Sequence, residues 1–577
     1  METIMETKIC SCWREFNITQ KDTEFYDKIS PIFQKNWELR IENWEEKWII
    51  DLWNWKFKYL IPPPQLCPDC RQQKRLSFRN ERFLYKRTCD ATGKSMVSIY
   101  SPDKPYTIYS QEEWWSDRWD PLDYGMDFDF SKTFFKQFDE LYHRVPIVSL
   151  ITDFTKDENS AYTNFAGSNK NCYLIFDSDF NKDCMNLTSS TENENCIDCH
   201  STHRSRMCYQ SVWAENCYKC FYVTNSRDCS ECYGCDSCIW CKNCFWCVNL
   251  RNKEYHIFNK AYSKEEYMLE IARLCREKID FNRSLDYPKK SMISLNSENI
   301  SWNYIYDSKN IESSYEIYNS ENCKYCFWMH DLSNSYDVAG FWIGWLDKIY
   351  YSHVIWVGWS DILFSNIVVW NCRNIMYSNN IYNNCSDIFW CISMIWKQYC
   401  ILNKQYSKEQ YEELVPKIIE HMKKTWEWWE FFPSSISPFG YNETVAMEYF
   451  PIDKDNARFK WSTYENPLPQ VSKVIPASKL PQNISEVPDD ILNWAVECEV
   501  TNKPFRIVKQ ELDFYRLNNL PIPKKHPDER HLDRMKLRNP RVLHDRQCDK
   551  CGSKISTTYS PDKKEKIYCE KCYEEAV

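Results

Sequence analysis

Residues 360–388 read SDILFSNIVVWNCRNIMYSNNIYNNCSDI. Within them Ser360-Asp361-Ile362, Arg373-Asn374-Ile375 and Ser386-Asp387-Ile388 stand 13 residues apart. The same beat reaches back through Asp347-Lys348-Ile349 and Asn334-Ser335-Tyr336 to Glu321-Asn322-Cys323. Each unit sets a polar turn before a short apolar or β-branched run. Short strands at a fixed short period, with no helical spacing between them, point to a β-solenoid coiling around a narrow core. Two units per coil predicts coils of roughly 21 to 26 residues. Sandwich strands at regular spacing are the competing arrangement, and the strict beat favours the solenoid.

A related texture runs upstream. Asn171-Cys172, Asp183-Cys184, Asn195-Cys196, Cys208, Asn216-Cys217, Asp228-Cys229 and Cys238 recur at steps of 12 or 9. The cysteines at 229, 232, 235, 238, 241, 244 and 247 imitate an iron–sulfur run, but the closing C-x3-C-P is absent. Cysteine at a repeating inward position, acting as a small buried hydrophobe, is the better reading. Both stretches end alike, in Tyr255 to Tyr267 and Tyr399 to Tyr411. Ser263 with Glu266, and Ser407 with Gln410, form capping boxes. They predict helices over about 264–279 and 408–424 that cover the open solenoid ends.

Outside this trunk the chain repeats itself again. Cys67 to Tyr109 returns, 459 positions on and without a gap, as His526 to Tyr568. Arg71, Arg75, Arg79, Asn80, Arg82, Cys89, Gly93 and Ser101-Pro102-Asp103-Lys104 recur in register. Two copies of a cysteine module therefore flank the trunk. Each copy has room for two four-ligand sites. In the first, Cys10, Cys12, Cys67 and Cys70 keep one site, while the other has eroded to Cys89, Thr92, Ser110 and Glu113. In the second, Cys548, Cys551, Cys569 and Cys572 keep the latter site, while the former has become Cys498, Thr501, His526 and Glu529. Cysteine pairs separated by a loop suit tetrahedral Zn2+. Cys498 and His526 are weaker candidates, because Thr501 is a poor ligand.

Composition supports metal over disulfides. The chain has 31 cysteines and a formal charge of −9. Its start, METIMETKICSCWREF, lacks a secretory pattern, and no apolar run approaches the ~18 residues of a membrane span. A reducing cytoplasm, with CxxC pairs as metal ligands, is the expectation. The charge excludes a globally basic nucleic-acid coat. Glycine and tryptophan are out of proportion, at 9 and 26, when glycine is usually about 7% of a chain. Trp13 follows Cys12 where a zinc knuckle wants glycine, as Gly552 follows Cys551. Either many tryptophans stand for UGA codons read as glycine, or the protein is truly Trp-rich.

Cys12-Trp13-Arg14-Glu15-Phe16, Asp22-Thr23-Glu24-Phe25-Tyr26 and Pro63 to Arg71 (PPQLCPDCR) together resemble the small zinc-ribbon domains of bacteria. Cys548 to Gly552 with Ile567-Tyr568-Cys569 and Cys572 resembles a second bacterial zinc-ribbon type, CxxCG…VYCxxC. The whole chain is similar to large uncharacterised zinc-ribbon proteins of candidate-phylum bacteria. The resemblance implies zinc and no activity. Departures are the tight Cys10/Cys12 spacing and Trp13 itself.

The expected fold is mainly β: a central solenoid in two halves with helical caps, flanked by duplicated small zinc-ribbon modules. Its divisions are 1–115, an aromatic-acidic connector over 116–160, solenoid halves over 161–290 and 291–425, an irregular wrapping linker over 426–490, and 491–577. In the connector a short helix is expected over Ser131 to Leu141, and Asp117, Asp120, Asp123, Asp127 and Asp129 match no calcium-loop spacing. Arg71, Arg75, Arg79 and Arg82, matched by Arg530, Arg534, Arg538 and Arg541, fall on one helix face. They suggest phosphate contact or, preferably, internal pairing with acidic neighbours. No nucleotide loop, catalytic triad order or HExxH is present. A non-catalytic zinc-binding scaffold that recognises a protein or nucleic acid is the leading expectation, with neither a membrane nor a small-molecule substrate. The alternatives are a nucleic-acid-processing enzyme or accessory subunit, and a polysaccharide-active β-helix.

Overall fold

The computed structural model describes residues 3–34, 49–52, 56–274, 286–340, 346–356, 360–455, 458–467 and 473–577. They form two units, Met1–Ser149 with Ile293–Tyr464 and Leu150–Met292 with Glu465–Val577. Each unit thus joins one solenoid half to the cysteine module farther from it along the chain.

The solenoid is present, but its coil is half the expected length. Strands pair in parallel with partners 12 residues on in the first half, as Ile175 with Leu187 and Ala214 with Ser226. In the second half the step settles at 13, as Asn366 with Asn379 and Ile375 with Ile388. One sequence unit is therefore a whole coil, and the estimate of two units per coil is corrected. The reason lies in the backbone. φ is positive at every third residue from Phe165 to Phe258, so the chain turns a corner at each triplet and closes a coil in four.

Each triplet has a corner residue, then an inward one, then an outward one. A left-handed corner costs an L-residue about 1–2 kcal/mol, and Asn and Asp bear it best because their short side chains hydrogen-bond locally. Hence Asn171, Asp183, Asn195, Asn216 and Asp228 stand immediately before inward cysteines. Corners of successive coils also pair. The Asn171 amide donates to Asp183 at 3.0 Å, and the Asn216 amide to Asp228 at 2.6 Å.

Inward positions build a narrow core. In the second half Ile362, Ile375 and Ile388 stack, all fully buried, each contributing about 1.5–3 kcal/mol by leaving water. Beside them Ser352 Oγ accepts from Ser365 N, and Ser365 Oγ from Ser378 N, both at 3.2 Å. In the first half the core is dominated by cysteine. There the outward column Met185, Ile197, Tyr209 and Phe221 is covered by the C-terminal module.

Both capping boxes form. Ser263 N donates to Glu266 and Glu266 N to Ser263 Oγ; Ser407 and Gln410 do the same. The helix Lys264–Leu274 sets Tyr267 and Leu274 against Phe245 and Ile257; the expected stretch to 279 runs beyond the described residues. The helix Lys408–Lys424 buries Tyr411, Val415, Ile418, Ile419 and Met422.

The connector docks on the second half. Lys397 pairs with Asp120 at 2.7 Å and Lys404 with Asp127 at 2.6 Å. Its helix spans Phe134–Tyr142, where Glu427 accepts from the amides of Phe134 and Phe135. In the N-terminal module, Asp22 closes a capping box with Thr19 at the start of the helix Gln20–Ile29. Phe25 of that helix stacks on Tyr336 of the solenoid, centroids 3.7 Å apart.

Candidate metal centres

Four tight knuckles recur across the two modules. In one, Cys548 N donates to Ser553 O and Gly552 N to Cys548 O, both at 2.8 Å. Cys89–Lys94 and Cys498–Lys503 repeat the pattern, with Gly93 and Asn502 in the place of Gly552. The Cys10 knuckle is one residue shorter, Cys10 N bonding Arg14 O and Trp13 N bonding Cys10 O, both at 2.9 Å. The residue after the second ligand position has positive φ in all four: 67° at Trp13, 69° at Gly93, 57° at Asn502 and 73° at Gly552. The turn lets consecutive amides face the sulfur, and Trp13 fills a glycine's place while almost fully exposed.

Opposite each knuckle stands the first turn of a helix. Cys67 is the N-cap of Pro68–Leu76, Ser110 of Gln111–Trp114, His526 of Pro527–Lys536 and Cys569 of Glu570–Glu574. The fourth ligand position, three residues on, is Cys70, Glu113, Glu529 or Cys572. A helix start suits thiolates, because its free amides and dipole favour negative charge.

Two of the four sites are complete. The sulfurs of Cys10, Cys12, Cys67 and Cys70 all lie within 4.8 Å of one another, as do those of Cys548, Cys551, Cys569 and Cys572. Cys12 and Cys67 are 3.6 Å apart, and Cys551 and Cys569 3.8 Å. Four thiolates about 2.3 Å from a tetrahedral metal would be spaced roughly 3.8 Å apart. Both groups can hold a metal ion.

At the other two positions hydrogen bonds take the place of a four-sulfur group. Cys89 Sγ accepts from Ser110 N at 3.3 Å, Ser110 Oγ caps Glu113 N, and Glu113 turns away to pair with Arg118. Cys498 Sγ accepts from His526 N at 3.3 Å, while His526 Nδ1 accepts from Asp528 N as the helix cap. Cys548 Sγ makes the same contact with Cys569 N at 3.3 Å in a complete site. The weaker pair Cys498 and His526 thus keeps the frame of a site, and among the described residues it gathers no third ligand.

Within the complete groups the thiols share charge unevenly. Hydrogen bonding from Cys70 first, and then from the backbone and Cys10, lowers Cys67 to about 5, whereas Cys70 is pushed far up by its bond to Cys67. Cys551 falls to about 6 through Ser553, while burial raises Cys572 to about 12.

The arginine face is turned inward. Arg71 and Arg75 are buried and clamp one buried carboxylate, Asp337, at 2.8 and 3.1 Å. In the other unit Arg530 and Arg534 clamp Asp198 at 2.5 and 3.1 Å. Arg79 pairs with Glu81, Arg538 lies 2.8 Å from His200 Nε2, Arg541 is buried and Arg82 half-buried. Burial and desolvation take this face away from phosphate contact, so that reading is replaced by docking of each module onto its solenoid half. Burial first, and then Arg538 and the surrounding cations, hold the His200 imidazole well below its usual range.

Asp337 and Asp198 escaped sequence reasoning. Both are solenoid corners, where Asn and Asp recur for conformational reasons, and nothing local separates a docking carboxylate from its neighbours. No protein-family model matches the sequence, and no curated protein is significantly similar to it.

Proposed function

We propose that the chain is a non-catalytic scaffold in which each four-cysteine group binds one Zn2+ and the solenoid presents a surface to a protein partner. The observation that carries this reading is the pair of four-sulfur groups, each built from a knuckle and a helix start. Four thiolates leave zinc no open position for water or substrate, which is the pattern of structural sites. Zinc would tie the knuckle to the helix whose next turn carries the clamp, Arg71 and Arg75 or Arg530 and Arg534. Metal binding and docking would then be one event. A protein partner is preferred over nucleic acid because the duplicated arginines are occupied internally and the net charge is −9.

Elemental analysis of the purified protein tests the metal: two zinc per chain are expected, and iron with visible absorbance would overturn the assignment. Binding to nucleic acid that weakens steeply with salt would replace the protein partner by a phosphate-bearing one.

A further inference from the structure

We propose that the last full coils of the first solenoid half form a second kind of metal site, a buried thiol lattice that takes soft monovalent cations of the Cu(I) class in two-coordinate sulfur–metal–sulfur bridges. It is independent of the zinc reading and uses none of the same cysteines.

Every inward position from Cys229 to Cys247 is cysteine, and Cys217 and Cys220 extend the set by one coil. All are at most 2% exposed. They stack in columns, Cys217 under Cys229 under Cys241, and Cys220 under Cys232 under Cys244. Around the coil an inward cysteine follows at every third residue, and each sulfur lies against the wall of the next coil, Cys232 Sγ 3.6 Å from Cys241 O and Cys235 Sγ 3.4 Å from Cys244 O. Sulfur therefore lines the inside of the tube both along its columns and around each coil.

Density sets these coils apart. Inward cysteines occur elsewhere, as at Cys172, Cys184, Cys196 and Cys208 in the column of Cys220 and at Cys372 and Cys385 in the second half, but only from Cys229 to Cys247 is every inward position cysteine; in the column of Cys235 and Cys247 the early coils use Ile175 and Leu187. Those residues bury more apolar surface than cysteine.

Geometry selects the ion. Among the described residues no three sulfurs outside the terminal modules lie within 4.8 Å of one another, so a tetrahedral divalent site is not formed. Two-coordinate bridging needs only pairs, separated by about twice a metal–sulfur bond, or roughly 4.5 Å. Coils in a parallel ladder are about 4.8 Å apart, close to that span along every column. Soft thiolate donors select Cu(I) over hard cations.

Charge selects it too. Each bound cation displaces one thiol proton to solvent, while the second sulfur donates a lone pair and keeps its proton. The buried core stays neutral. The present thiols already aim their protons at the wall, Cys229 at Arg227 O and Cys238 O (3.3 and 3.4 Å) and Cys241 at Ile239 O and Leu250 O (3.5 and 3.4 Å). That leaves sulfur lone pairs for the axis. The lattice lies at the capped end, where the helix Lys264–Leu274 buries only Tyr267 and Leu274. Ions enter there or as the coils close during folding.

The test refolds zinc-loaded full-length protein anaerobically, with a non-thiol reductant, in the presence of Cu(I) buffered by a chromophoric chelator. Metals are counted by native mass spectrometry. The expected result is several Cu(I) in addition to zinc. They should be lost in a Cys229→Ser/Cys232→Ser/Cys241→Ser/Cys244→Ser variant and kept in Cys12→Ser/Cys551→Ser. No Cu(I) beyond that held by the terminal cysteines, or an unchanged count in the four-serine variant, overturns the proposal. If that variant does not fold, the melting temperature of Cys12→Ser/Cys551→Ser decides: Cu(I) bridging the buried coils raises it, and no rise refutes the lattice.

Discussion

Arg71 Nη2 lies 2.8 Å from Asp337 Oδ2, and both side chains are sealed from solvent. Arg75 takes the other carboxylate oxygen at 3.1 Å. Two guanidiniums on one carboxylate leave a net positive charge inside, so the carboxylate is what makes their burial tolerable. Asp337→Ala is expected to destabilise its unit by about 3–5 kcal/mol, the cost of leaving buried charge uncompensated. Asp198→Ala should cost the other unit less, because Arg530 keeps a second buried carboxylate, Glu511, at 3.1 Å. Thermal unfolding followed by limited proteolysis reads each effect; a shift under about 1 kcal/mol would show the clamp to be dispensable.

Cys12→Ser and Cys551→Ser should each lower bound zinc from two per chain to one, and the double variant to none. Inductively coupled plasma measurements on gel-filtered protein decide this. Unchanged stoichiometry in either single variant rules out its group as a zinc site.

Acid should strip the metal. Binding displaces protons from Cys70 and Cys572, whose thiols sit above their usual range, so affinity rises with pH. The lower limit is set by Cys67 and Cys551, which remain thiolates down to about 5 and about 6. Proton competition then wins as pH falls through that window, and a chromophoric chelator should report release complete below about pH 5. Retention at about pH 4 would argue against thiolate ligation.

The eroded sites keep their frame, so metal can be restored to one. Thr92→Cys, Ser110→Cys and Glu113→Cys together rebuild a four-cysteine set around Cys89, on a knuckle with Gly93 at φ 69° and a helix starting at Gln111. A third zinc per chain is the expected outcome.

Among the described residues eleven of the eighteen tryptophans have positive φ. Seven are solenoid corners, where many residue types are so placed, but Trp13, Trp426 and Trp429 are not, and Trp302 has φ 136°. Replacing Trp13 by glycine relieves about 1–2 kcal/mol of left-handed strain and forfeits little packing, since the indole is 88% exposed. Trp13→Gly should therefore raise the melting temperature. Peptide mass spectrometry of the protein from its natural source should find glycine at position 13 if the codon is read that way; tryptophan there removes the recoding account.

Much of this was legible in the sequence because it is local. The 13-residue beat, the capping boxes at Ser263 and Ser407, and the complementary loss of ligands between the module copies are short-range patterns, and the structure shows the coils, helices and sulfur groups they imply. Coil length was misjudged because hydrophobic spacing cannot reveal that a corner falls at every third residue. That fact lives in φ, and Phe165, Leu174 and Met207 adopt it as readily as Asn171. The clamps were invisible for a different reason: Arg71 and Asp337 are 266 residues apart, and no local signal binds them.

The four-triplet coil has a consequence for how such a chain changes length over time. Excising twelve consecutive residues from the first half would return every corner, inward and outward position to its own kind, with one storey fewer and each column still aligned. A single extra residue is absorbed where a corner can double: the 13-residue coils of the second half have consecutive positive-φ residues at Trp370 and Asn371 and at Asn383 and Asn384, and their columns stay in register. The first half can grow or shrink by whole storeys, and a storey that must take one residue more takes it at a corner.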